Sequence, residues 1–463
     1  MNSALPQSGI FSPLRLLQEL LRLPRTQRYW VAFSGGCDSM VLLHALVSLR
    51  GRLRGVELCA VHVNHGMSPD AEIWTDRCRE ICTEWGVPYW NVRVSVTDHG
   101  QGLEAAARHA RYEAFAELLA QGDVLLTAHH VDDQAETVLL QLLRGAGPKG
   151  LAGMPRCTPF AKGHLARPLL DCRREDLLSY AKRYDLFWIE DHSNFDTAYD
   201  RNFLRHEILP YLRQRWPGLS RTVARVARHQ GQVVELLEDL ARLDLAAVQD
   251  VQTATVSVAA MRLFSAARQR NVLRYWLQKL SLPMPSEAQI ERISHDVMAT
   301  AADREAVVSW PGAQIRRYRD RLFALPPLPA QDASRVVEWP NTEREVVLGA
   351  GLGRLAIEWT RGQGLKRERV TLQPWHIRFR RGGEKIRPAG QAHRRSLKKL
   401  FQEWGVAPWL RDRIPLLYVG EELVMVVGFV IAEGYQADAG DEGYLMQWLD
   451  CPAYLAPFIE PSR

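Results

Sequence analysis

The sequence predicts an α/β protein with an open, mostly parallel sheet in its N-terminal part. A helical region follows, and then a small α+β part rich in basic residues. Three observations predict this. Strand-like and helix-like runs alternate from residue 29 to about 195. Between about 218 and 300 the strand signals fade, and SRTVARVARHQGQVVELLEDLARL and AARQRNVLRYWLQKL keep a helical period. Beyond a proline-rich break, LPPLPAQ at 325–331, short β-like runs return (VVEWP, REVVLG, RLAIEW). Strand–helix alternation implies parallel strands covered on both faces. Right-handed crossovers then set every strand's carboxyl end on one rim. At 463 residues the chain exceeds one ordinary core. The expected domains are 1–216, 217–330 and 331–463.

Taken in order, LRLLQELLRL is amphipathic, with Ser12 and Pro13 placed as cap and first helical position. It predicts a small docking helix rather than a signal peptide. Strands are expected at 29–33, 56–63, 89–96 and 123–128, with helices at 39–50, 69–85 and 103–120. The next stretch, TAHHVDDQAETVLLQLLRG at 127–145, follows a strand and lies on the rim. A helix starting near 129 sets His129, Asp132, Asp133 and Glu136 on one face, suited to Mg²⁺ or an ammonium group. His130 sits beside that face as a cap or packing residue. Further rim groups are VNHGM at 63–67, Arg108, Arg111, Asp191, Ser193, Asn194, Arg201, Asn202 and Arg205.

The net charge of +6 and pI near 8.9 hint only weakly at a polyanionic partner. The distribution says more. Residues 361–413 hold 15 Lys and Arg against 4 Asp and Glu, whereas 414–463 hold 8 acidic residues and one basic. Seven loosely spaced cysteines argue against a disulfide framework and for a reducing compartment. Cys78 and Cys82 form a lone CxxxC that no further Cys or His completes into a zinc pattern, and HExxH is absent. No apolar run approaches the ~20 residues that span a membrane.

The stretch between the first strand and helix, SGGCDS at 34–39, carries the chemistry. Consecutive N–H groups of a glycine turn form an anion nest, and the following helix adds its positive end. Gly35 and Gly36 let the backbone approach an anion, Ser34 and Ser39 can donate hydroxyls, and Cys37 takes the variable position. Asp38 suits a Mg²⁺ ligand or a helix cap. The loop lacks GxxxxGK[ST] and any lysine, so γ-phosphoryl transfer is not implied. Cleavage of ATP between the α- and β-phosphates is the alternative. SGGCDS resembles the pyrophosphate loop of the N-type ATP pyrophosphatases, whose members adenylate a substrate oxygen and then displace AMP with a nucleophile.

With VHVNHG, LEAAARHARY, HHVDDQAETVLLQLLRG, DHSN, RNFLRHEILP and RRGGEKIRPAG…KKLFQEWGVAPWLRDRIPLL added, residues 28 to 463 resemble the bacterial tRNA(Ile)-lysidine synthetases. The resemblance implies an adenine nucleotide alpha hydrolase-like catalytic domain. It implies ATP and Mg²⁺ at residues 34–39, with His62 and Asn64 also binding nucleotide and Asp38 and Asp133 holding the metal. Arg111, His129, Asp132, Asp133, Glu136 and Arg205 join Asp38 as implied catalytic residues. The implied substrates are free L-lysine and a tRNA(Ile) with anticodon CAU, whose wobble cytidine becomes lysidine in the cytoplasm. A homodimer is left open. A tRNA thiolase of the same superfamily is the rival reading; its sulfur delivery generally needs reactive or cluster-binding cysteines.

Lys and Arg neutralise tRNA phosphates with strong salt dependence. The candidates are Arg201, Arg378, Arg380, Arg381, Lys385, Arg387, Arg394, Arg395, Lys398 and Lys399. Trp375, Phe379, Trp404 and Trp409 interleave with them, as base-stacking groups or, more simply, as core. A helix bearing Arg213, Arg215, Arg221, Arg225 and Arg228 is a second basic strip. The acidic 414–463 is expected to fold against its own basic neighbour and limit non-specific RNA binding.

Overall fold

The computed structural model describes residues 11–66, 68–97, 102–190, 195–299, 306–340, 343–371 and 373–459. Two compact units divide the chain, Met1–Leu236 and Leu237–Arg463.

The first unit opens with α1 (Pro13–Leu20), whose Ser12 side chain accepts the Arg15 N–H and whose Leu16 and Leu20 are buried, as the amphipathic pattern predicts. β1 (Arg28–Ala32), α2 (Cys37–Ser48), β2 (Glu57–Asn64), α3 (Ala71–Glu84), β3 (Tyr89–Arg93), α4 (Leu103–Leu118) and β4 (Val124–Leu126) fall close to their expected ranges. After them come α5 (Val131–Leu143), α6 (Pro148–Leu151), β5 (Cys157–Phe160), β6 (Gly163–Ala166) and α7 (Arg174–Arg183). The strand order is β3-β2-β1-β4-β6-β5, parallel except for the antiparallel edge pair β5–β6. That pair leaves no sequence signal, because CTPF and GHLA are short and carry no alternating pattern. β1 feeds both faces of the sheet. Tyr29 and Val31 join a core with α1, α2 and α7, and Trp30 joins one with Phe115 of α4.

Two expectations are corrected. α5 begins at Val131, not near 129. His130 is its N-cap, accepting the Asp132 and Asp133 N–H groups while the Asp133 side chain accepts the His130 N–H. His129 therefore precedes the helix, and the four-residue face does not form. The basic strip is not one helix either. α8 (Asp200–Phe203), a π turn at 204–208 and α9 (Leu209–Arg215) end before Pro217 and Gly218, and α10 (Leu219–Val248) starts anew. A proline and a glycine together stop the first helix and free the chain to redirect.

In the second unit, helices 266–279 and 287–292 pack on a four-stranded antiparallel sheet around Trp276, Leu277 and Ile293. The strands of that sheet are 256–257, 307–310, 313–318 and 321–325. Beyond 330 a five-stranded and a four-stranded sheet enclose Trp339, Trp375, Phe379 and Phe401. The acidic 414–463 supplies strands 416–419, 422–426, 430–431 and 442–449 to these sheets. Among the described residues no helix is long and apolar enough to cross a membrane.

Candidate active site

The carboxyl ends of β1, β2, β4 and β6 share one rim, and a cleft of about 880 Å³ opens there. At its base the chain turns from β1 into α2. Gly36 is the N-cap, with no side chain capping the helix. The first-turn N–H groups of α2 are thus left without the side-chain acceptor that usually satisfies one. Ser39 Oγ donates to Gly36 O at 3.0 Å and lies 3.2 Å from Ser34 Oγ. The two glycines differ. Gly35 has φ +80, and a Cβ there would lie 2.8 Å from Ile189 Cδ1 and 2.9 Å from Cys78 Sγ. Gly36 has φ −74, and a Cβ on it would meet nothing closer than 3.5 Å.

Asp38 is the second residue of α2, so it does not cap. Its Oδ2 lies 3.5 Å from His130 Nε2, while Oδ1 is buried with no hydrogen-bond partner among the described residues. Burial disfavours the His130 imidazolium while Asp133, Asp38 and Asp132 favour it and push its pKa up. Because Nδ1 accepts the helix N–H groups, the ring's proton in this cap sits on Nε2, facing Asp38 and Asp133. His129, before the helix, is pushed down to about 3 by burial, and its Nδ1 lies 2.9 Å from Thr127 Oγ1.

The carboxylates of α5 divide. Asp133 and Glu136 are buried and clasped by two guanidiniums from the α8–π segment. Arg201 Nε donates to Glu136 Oε2 at 2.8 Å and its Nη2 to Asp133 Oδ1 at 3.2 Å. Arg205 Nε donates to Glu136 Oε1 at 2.7 Å and its Nη2 to Asp133 Oδ1 at 2.9 Å. Burial raises the Asp133 pKa, but His130 and the arginines outweigh it and hold the group well below the usual carboxylate range. Asp132 turns elsewhere, accepting from Arg213 Nη2, Ser220 Oγ and the Arg174 N–H. Arg201, expected on tRNA phosphates, is thereby engaged at the rim.

His62 Nδ1–H donates to Phe33 O at 2.9 Å and braces the strand just before the loop. Asn64 donates to Glu72 and Thr75 and accepts the Gly66 N–H, which holds the β2 exit. Both face the cleft with these atoms engaged. Arg111 Nε donates to His65 Nε2 at 3.2 Å, and the Arg108 guanidinium lies over the Tyr112 ring. Asp191, Ser193 and Asn194 lie outside the described residues. The sequence reading missed Phe195, Tyr199 and His206 on the cleft wall. Their one sequence signal is position, directly after a rim motif or beside Arg205.

In the basic segment, Arg378 pairs with Glu421 and lies over the Tyr418 ring, and Arg380 pairs with Asp412. Arg381 donates to the Ala333 and Ser334 carbonyls. Arg387, Arg394 and Arg395 pair with Glu433, Glu422 and Glu403. Lys385, Lys398 and Lys399 are exposed. Trp375 and Phe379 are core residues, and Trp404 and Trp409 pack against that core.

A parallel sheet whose glycine turn opens an uncapped helix onto a rim cleft defines a PP-loop nucleotide-binding protein. Residues 13–212 match the family model described as PP-loop domain. Residues 257–323 match the TilS substrate binding domain and 375–448 the TilS substrate C-terminal domain. The tRNA(Ile)-lysidine synthase of Coxiella burnetii is 40% identical over 438 residues, covering 94% of this chain and 96% of that protein. That of Alkalilimnicola ehrlichii is 43% identical over 437 residues, covering 93% and 96%. That of Salmonella heidelberg is 43% identical over 424 residues, covering 91% and 96%. The chain belongs to the tRNA(Ile)-lysidine synthase family.

Proposed function

We propose that this chain is an ATP-dependent ligase that joins L-lysine to C2 of the wobble cytidine in a tRNA(Ile) with anticodon CAU, acting in the cytoplasm. The observation that carries this reading is the uncapped N-terminus of α2 in a Gly-Gly turn at the cleft base, in a chain matched nearly end to end by relatives of that name. The turn's N–H groups and Ser34 and Ser39 hold the phosphates of ATP. The cytidine C2 oxygen attacks the α-phosphate, the bond to the β-phosphate breaks, and pyrophosphate leaves into the nest. The lysine ε-amine, having lost its proton, then attacks C2, and the oxygen departs with AMP. Activation is required because a C2 oxygen leaves poorly until it is part of AMP.

Asp38 fits a Mg²⁺ ligand, because its buried Oδ1 has no donor among the described residues. Asp133 fits less well, with donors on both oxygens, and we assign it to ordering Arg201 and Arg205. Bound Mg²⁺ supplies charge neutralisation at the phosphate oxygens. The Arg205 guanidinium lines the cleft within electrostatic reach of Asp38 and can face charge that develops on the phosphates. A thiolase is disfavoured by the thiols themselves. Burial pushes Cys37, Cys78 and Cys82 up to about 12, far from the thiolate that sulfur transfer uses. Purified protein given ATP, labelled lysine and CAU-bearing tRNA should form lysidine with AMP and pyrophosphate. Release of ADP, or sulfur incorporation in place of lysine, would overturn the reading.

A further inference from the structure

The lining of the cleft includes an aromatic pair that neither the loop nor the carboxylate cluster uses. Phe195 and His206 stack with ring centroids 5.4 Å apart and planes 30° apart. Among the described residues of this unit, the other aromatic pairs meet edge-on or tilted. Phe195 remains 60% exposed within the cleft lining, which also includes Tyr199. An exposed phenyl face costs free energy in water unless something covers it.

The platform is fixed in place. Asp196 turns the chain beneath Phe195, its Oδ1 accepting the Ala198 N–H at 3.0 Å and its backbone oxygen accepting from Asn202 at 2.9 Å. His206 follows Arg205, which is anchored on buried Glu136 at 2.7 Å.

We propose that the Phe195–His206 stack is the seat of the reacting cytosine, extruded from the anticodon loop and laid against the phenyl face. This rests on the ligase reading and names the group that holds its pyrimidine. Enzymes that act on a base take it out of the stack and hold it against aromatic side chains. Stacking is worth roughly 1–3 kcal/mol per base. The size of the cleft allows it. At about 880 Å³ it lies near the top of the roughly 300–1,000 Å³ range of single-ligand pockets. The strand-end residues Ala32 and Val63 also line that cleft, beyond the stack, and leave room there for the nucleotide. Holding the ring flat presents its C2 oxygen to the α-phosphate in one orientation, which proximity catalysis requires.

The test is steady-state lysidine formation by the full chain with ATP, Mg²⁺, lysine and CAU-bearing tRNA transcript. Phe195→Ala should lower kcat/KM for tRNA by roughly 5- to 100-fold, while ATP affinity, measured by direct binding, stays at the wild-type value. Phe195→Trp should retain most of the activity, because a larger ring stacks as well. Unchanged kcat/KM for tRNA in Phe195→Ala overturns the inference and leaves the ligase reading standing. So does a loss of ATP affinity that accounts for the defect, which would give the stack to adenine. A wild type that incorporates no lysine ends both.

Discussion

Asp38 and Glu136 are carboxylates on neighbouring helices of one rim, and their surroundings give them different work. Among the described residues, Asp38 keeps one oxygen without a donor, whereas both oxygens of Glu136 are held by arginines. Asp38→Asn keeps the shape but removes the charge a cation needs. It should cut tRNA-dependent ATP–pyrophosphate exchange by roughly 10²-fold or more, the scale of losing one electrostatic contact to the transition state. Melting temperature should barely move, and exchange at the wild-type rate would remove Asp38 from the metal. Glu136→Ala should behave in the opposite sense. It leaves two guanidiniums facing Asp133 alone in a buried site. Breaking a buried pair in this way costs about 3–5 kcal/mol. Denaturant unfolding of the variant checks this, and a change under about 1 kcal/mol would mean that water reaches and screens the cluster. The arginines themselves were legible as rim residues, but their partners were not: Arg201 and Glu136 are 65 positions apart, and no local pattern links them.

At the scale of the element, α2 and α5 begin by different rules. The first is uncapped, and its N-terminus faces the cleft. The second is closed by a reciprocal His130–Asp133 cap. A histidine cap is unlike the usual Ser, Thr, Asp or Asn signal, which is why the start of α5 reads two residues too early. That shift decides the site, because it takes His129 off the helix and lets Asp132 turn to Arg213 and Ser220. The glycine turn makes a sharper prediction. Gly35→Ala forces a Cβ into a positive-φ position against Ile189 and Cys78. It should destabilise the protein by about 1–3 kcal/mol and weaken ATP binding. Gly36→Ala has ordinary φ and open space, and its melting temperature should stay near wild type. Equal thermal shifts for the two variants would show that backbone strain is not what selects glycine at 35.

At the scale of the whole molecule, the charge asymmetry becomes structure. The acidic end is no loose tail. Its strands sit inside the sheets, and Glu421, Glu422 and Glu433 pair with Arg378, Arg394 and Arg387. Truncating at 413 would remove central strands, so it cannot test screening of RNA. The triple change Glu421→Gln, Glu422→Gln and Glu433→Gln can, and it should raise affinity for unrelated RNA. No rise in a filter-binding titration would refute the screening idea. Lys398 and Lys399, exposed on the helix at 397–403, are better placed for phosphates than the paired arginines. Changing both to Gln should raise the tRNA KM and reduce the slope of log affinity against log salt by about 1 per lysine. Arg378→Gln should change that slope less, because its guanidinium is already shared between Glu421 and Tyr418.

By itself the sequence determined the α/β layering, the rim, the pyrophosphate loop and the family, because period, turn chemistry and contiguous motifs are local properties that any chain with these residues carries. Only the tertiary structure decided which carboxylate keeps a vacant oxygen, which arginines are already engaged, and that Phe195 meets His206. The carboxylate–arginine pairings join segments far apart in the chain, and the Phe195–His206 stack joins residues on either side of a turn; burial and Coulomb attraction assign them only once packing has set the chain's path.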